Sequence, residues 1–136
     1  MDFKIKDQSG FKTVTMSKES ATVIEAGDLV AMDSNGYAIK ATASSAKIAY
    51  CKNGAVAGEL TCEVSKGNDF TLTGTADANF AITNKGAEVD MVVTSTVQLI
   101  DLGESTTDVF LVSIADDAGV VGSTASVEIK INKPLF

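Results

Sequence analysis

Two thiols, eighteen carboxylates and eleven amines are the reactive side chains of this 136-residue chain, and neither an imidazole nor a guanidinium accompanies them. Without His, no Ser-His-Asp or Cys-His relay can be assembled, and the side chain that most often moves protons near neutral pH is missing. Cys51 and Cys62 fall short of the four Cys or His ligands of a structural zinc site. The pair admits two states: buried free thiols, as expected in a reducing cytoplasm, or a bridge across neighbouring strands. Glycoside cleavage needs two acids facing each other across a groove, usually with aromatic platforms for the sugar. Here Trp is absent and the Tyr residues are Tyr37 and Tyr50. The stretches GAVAG (54–58) and GVVG (119–122) lack the Lys-Ser/Thr of a phosphate loop and read as turns. DSNGY begins like a calcium loop at Asp33, but Ala38 and Ser44 stand where that loop requires Gly and Glu. Asp116-Asp117, ahead of Gly119, reads as a solvated turn. The expectation is a chain with no catalytic residue, no cofactor and no metal: not an enzyme.

Charge narrows the partners. The net charge is −7, and the lysines are scattered singly. Phosphate contacts need a basic stripe and base readout leans on Arg, so nucleic acid is not expected. No apolar run approaches the roughly 20 residues of a membrane-spanning helix, so no membrane partner is expected. The opening MDFKIKDQSG lacks the apolar core and cleavage site of a secretory signal, and the expected place of synthesis is a cytoplasm.

The elements that would position these groups are short strands. A chain of 14.1 kDa that is 45% hydrophobic, with a mean hydropathy of +0.18, fits one globular domain. The clearest signal is AGDLVAMDSNGYAIKA (26–41). Leu29 to Met32 lead in, Asp33-Ser34-Asn35-Gly36 turns, and Tyr37 to Ala41 lead out, with Asn35-Gly36 supplying the positive φ values of a tight hairpin. The same alternation marks KIAYC (47–51), GELTCEV (58–64), DFTLTG (69–74), AEVDMVV (87–93), TVQLIDL (96–102), DVFLVSI (108–114) and ASVEIKI (125–131). TADANFAITNKGAE (75–88) fits either a short helix from Asp77 to Gly86 or, preferred here, a strand at NFAIT. The expected fold is all-β, a compact antiparallel barrel or sandwich of short strands. Residues 1–19 are expected to form an N-terminal arm or hairpin, and residues 20–136 a single β domain.

AGDLVAMDSNGYAIKATA, followed by KIAYCKNGAVAGELTCEVSKGNDF, resembles the small capsid decoration, or cement, proteins of tailed bacteriophages: a GDLV strand, a hairpin, then the GAVAG turn before the next strand. The resemblance spans roughly residues 20 to 75 and is one of pattern and composition. It implies a non-enzymatic structural protein, made in the host cytoplasm and carried on the outer capsid surface of the virion. Its partner would be the major capsid protein, and it would act as a homo-oligomer, a trimer. Within that reading Phe3, Lys4, Ile5 and Lys6 are the expected capsid-binding residues: Phe3 and Ile5 could insert into apolar pockets while Lys4 and Lys6 stay wet and the extended backbone adds to a capsid strand. Two alternatives stand beside it, another virion module of tail or baseplate and a carbohydrate-binding β domain.

Overall fold

Period-two alternation broken by glycine turns becomes short antiparallel strands in the computed structural model, which describes residues 2–136. Among the described residues these are β1 (Lys4–Asp7), β2 (Lys12–Ser17), β3 (Asp28–Met32), β4 (Ala38–Lys40), β5 (Ala49–Cys51), β6 (Thr61–Lys66), β7 (Thr71–Gly74), β8 (Glu88–Thr94), β9 (Val97–Asp101), β10 (Phe110–Val112) and β11 (Val127–Ile131). The protein is all-β. A six-stranded sheet runs β1-β7-β11-β10-β8-β9, a three-stranded sheet β4-β3-β5, and a two-stranded ribbon pairs β2 with β6.

The three-stranded sheet is buried on both faces along β5 and the first four residues of β3, while Met32 at the hairpin end is exposed. Leu29, Ala31 and Tyr50 join a larger apolar cluster with Leu72, Phe110, Ile129 and Ile131 of the six-stranded sheet. Val30, Ala49 and Cys51 join a smaller one with Met16, Cys62 and Val64 of the ribbon. A strand wet on neither side needs a continuous apolar run rather than alternation, and Leu29-Val30-Ala31 supplies it. The β3–β4 hairpin forms where the sequence places it, but of the pair expected to supply positive φ values only Gly36, at φ 88°, does so. Asp33 to Gly36 close as one turn, with the Gly36 N–H donating to the Asp33 carbonyl, and the Asp33 carboxylate accepts the N–H groups of Asn35 and Tyr37, which holds Asn35 without a left-handed backbone.

Gln98 is the polar link between sheets. Fully buried on β9, its amide nitrogen donates to the Leu29 and Ala41 carbonyls at 2.9 and 3.0 Å, and its amide oxygen accepts the Leu29 N–H at 2.9 Å. A side chain thereby continues the β3–β4 ladder one step beyond the strands, and every donor of the amide is used.

Residues 2–19 form neither an arm nor a hairpin of their own. β1 is an edge strand of the six-stranded sheet, pairing with β7 in the register Lys4↔Thr73 and Ile5↔Leu72. β2 pairs with β6, from Lys12↔Lys66 to Ser17↔Thr61. DQSG is therefore the corner at which the chain changes sheets. Burial decides this: Phe3 is 1% exposed and lies 5.5 Å from the Phe110 ring. Gly74 opposite it is obligatory, since a Cβ there would collide with the Phe3 ring. The strand expected at NFAIT is likewise replaced, by one 3₁₀ turn at Ile82–Asn84. Phe80 drops into the core, and its backbone bonds Ser123 and Gly122 instead of a strand partner.

Two substitutions test this frame. Phe3→Ala should cost about 3–5 kcal/mol, as for other buried aromatic truncations, and Gln98→Leu about 2–5 kcal/mol because the Leu29 N–H and the Ala41 carbonyl lose their buried partner. Denaturant unfolding measures both, and a loss under about 1 kcal/mol at Phe3 would return the N-terminal segment to an arm.

Candidate functional site

The expected capsid-binding residues do not act as one surface. Phe3 is core, and its carbonyl accepts the Tyr50 hydroxyl at 3.3 Å. Ile5 is half-buried against the same cluster, while Lys4 and Lys6 are exposed. Lys6 reaches across the sheet to Asp117 at 2.7 Å and Glu128 at 2.5 Å, joining the first strand to the last. An amine beside two carboxylates is also the reactant set for an internal amide bond. Here hydrogen bonds from the amine, first to Asp117 and then to Glu128, hold the Lys6 pKa above its usual value, and Lys6 in turn lowers that of Asp117. The contact is an ion pair.

What remains of the expected site lies along β1. Lys4, Ile5, Lys6 and Gln8 face Tyr50 and Lys52 across a groove of about 400 Å³. Tyr50 belongs to β5 and Lys52 follows it directly, so the groove separates an edge strand of one sheet from an edge strand of the next. Sequence reasoning found Lys4 and Lys6 from their alternation. It missed Lys52, because nothing in the local pattern brings residue 52 to residue 4.

A second surface is apolar. Val23, Val56 and Leu60 are 52%, 61% and 66% exposed. They stand on two loops held side by side by the Ile24↔Ala55 bridge and by the Lys18 N–H to the Leu60 carbonyl. The first loop is capped from within: the buried Lys18 ammonium donates to the carbonyls of Glu19 and Thr22. Gly54, at φ 73°, lets the loops approach, since a Cβ there would lie 2.8 Å from the Ala26 nitrogen and the Ile24 oxygen. Between the loops runs a groove of about 470 Å³.

The titratable groups with displaced pKa values do structural duty. Asp90 is 7% exposed, and its Oδ1 accepts three consecutive N–H groups, of Thr106, Thr107 and Asp108, at 2.8 Å each. Burial opposes the charge, but the three donors outweigh it and hold the carboxyl below its ordinary range. Burial raises Asp101, with Asp77 beside it adding to the rise. Neither carboxylate lines any of the larger grooves. Cys51 and Cys62 are free and buried. Burial pushes Cys62 up to about 11, with Cys51 next to it contributing, and burial raises Cys51 as well. Among the described residues no group of His, Cys, Asp and Glu side chains is placed to hold a metal ion, and no helix is long and apolar enough to cross a membrane.

Comparison with protein-family models, with curated proteins and with solved structures finds no match to this chain.

Two measurements check these assignments. The folded pKa of Asp90 lies below the unfolded value of about 3.9, so its contribution is complete above that value and is lost as pH falls through the folded one. Asp90→Asn should cost about 1.5–3 kcal/mol at neutral pH and flatten the acid limb of the stability curve, and an unchanged acid limb would remove Asp90 from this role. Both thiols should react with a thiol reagent only on unfolding, and the intact mass should show loss of neither water nor two hydrogens. Rapid labelling of the folded protein would contradict the burial.

Proposed function

We propose that this chain is a structural, non-enzymatic binding protein that decorates the outer surface of a phage head and braces neighbouring major capsid proteins, acting as a homotrimer. The observation that supports it best is the Val23, Val56 and Leu60 surface. Its three apolar side chains are held out by loops that are themselves braced, so little ordering entropy remains to be lost on docking. Exposed apolar area of this kind is gained as stability when a partner removes it from water, and specific interfaces take about 800 Å² from each partner. Modest contacts of this kind become firm when an oligomer engages several shell subunits together. Three interlocked sheets give the stiffness that bracing demands.

The test is co-sedimentation with expanded phage heads stripped of decoration, alongside light scattering of the free protein. Saturable binding by the wild type, abolished by the double substitution Val56→Asp and Leu60→Asp at unchanged melting temperature, is the expected outcome. A wild type that stays in the supernatant, or a double variant that binds as well as it does, would overturn the reading.

A further inference from the structure

We infer that the groove between β1 and β5 is a docking site for an extended acidic peptide segment of the protein partner. The inference deepens the shell-binding reading by naming the chemistry of the partner, and rests on it for the source of that segment. Three lysines, Lys4, Lys6 and Lys52, line the groove with Gln8, Ile5 and Tyr50, and no carboxylate does. On a chain of net charge −7, that is a local inversion of sign. Lys6 spends its charge on Asp117 and Glu128. Lys4 and Lys52 make no ion pair among the described residues, are exposed, and stand on opposite walls, so an extended chain between them meets an ammonium group on either side.

The remaining walls suit a peptide. Tyr50, buried and anchored by its hydroxyl to the Phe3 carbonyl, and half-buried Ile5 hold the base of the groove in place. The Gln8 amide, exposed at the groove mouth, can donate to and accept from a peptide backbone. β1 is the outermost strand of its sheet, the position at which an extended segment can lie alongside. Duplex or single-stranded nucleic acid fits poorly. Its phosphates continue beyond the groove onto a surface of net negative charge, whereas a short acidic segment ends within reach of Lys4 and Lys52.

The experiment is fluorescence anisotropy with the full chain and a labelled octapeptide alternating Glu and Val, with an alternating Lys and Val octapeptide and an octathymidylate as comparison probes. The Glu peptide alone should bind, and more weakly as salt is raised. Lys4→Glu with Lys52→Glu should weaken it by roughly tenfold or more. Lys47→Glu with Lys133→Glu, which changes net charge equally at exposed positions outside the groove, should leave it within about twofold. Lys4→Gln with Lys52→Gln, a milder change, should give an intermediate loss at unchanged melting temperature. Equal losses in the two reversal variants, octathymidylate binding as tightly as the Glu peptide, or no binding of the Glu peptide would each overturn the inference. Shell binding without Glu-peptide binding removes this groove and leaves the apolar loops as the contact, whereas Glu-peptide binding without shell binding removes the shell and keeps the groove.

Discussion

Burying a strand on both faces leaves its backbone no water to fall back on, and β3 is such a strand. Each of its peptide groups must find a partner inside the protein. β4 is short and ends at Lys40, so the ladder would stop before the Leu29 N–H is met. The Gln98 amide, delivered from β9, meets it and takes up the Ala41 carbonyl as well. The six-stranded and three-stranded sheets are thus joined by apolar packing and by hydrogen bonds that only one register of β9 against β3 permits. An apolar core alone tolerates some sliding, whereas a buried amide with fixed donors does not.

The same economy appears wherever charge is buried. Asp90 gathers the 106–108 loop by filling a concavity of N–H groups, and Lys18 gathers the 19–22 loop by donating to its carbonyls. Lys40 lies 3.6 Å from the buried Asp28 and 3.8 Å from Asp2 and donates to the Thr96 carbonyl, so hairpin, N-terminal segment and β8–β9 turn meet at one amine. In each case a charged side chain compensates backbone groups that short strands and long connections leave unpaired. Each of these residues holds several backbone groups at once and is costly to replace.

Under the proposed reading the two surfaces would divide recognition by type. Val23, Val56 and Leu60 offer area without direction, while Lys4 and Lys52 offer sign and alignment along an extended chain. Apolar area sets how firmly a partner is held, and charges at an open rim chiefly set which partner approaches and how fast. On a chain of net charge −7, a groove lined by lysines would add selectivity to that reading.

Alternation and turn chemistry are local properties, so the sequence by itself determined the all-β class, the position of the β3–β4 hairpin and the lack of any His-based relay, while the burial of Leu29-Val30-Ala31 on both faces and the single positive φ of the hairpin turn, at Gly36, came from the tertiary structure. Phe3 and Ile5 were legible as one apolar face of a strand. Whether that face met a partner or this chain's own core was not, because the answer lies in Phe110 and Gly74, more than seventy residues away in sequence. The same holds for NFAIT, where the pull of the core on Phe80 overrode a strand-like pattern, and for Gln98, a polar residue in an ordinary alternating strand whose amide acquires its role only when β9 lies against β3. Lys52 joined Lys4 for that reason too. Tertiary structure alone decided which distant strands became neighbours, since burial and backbone hydrogen bonding are satisfied by the folded whole and leave no mark on the residues next in line.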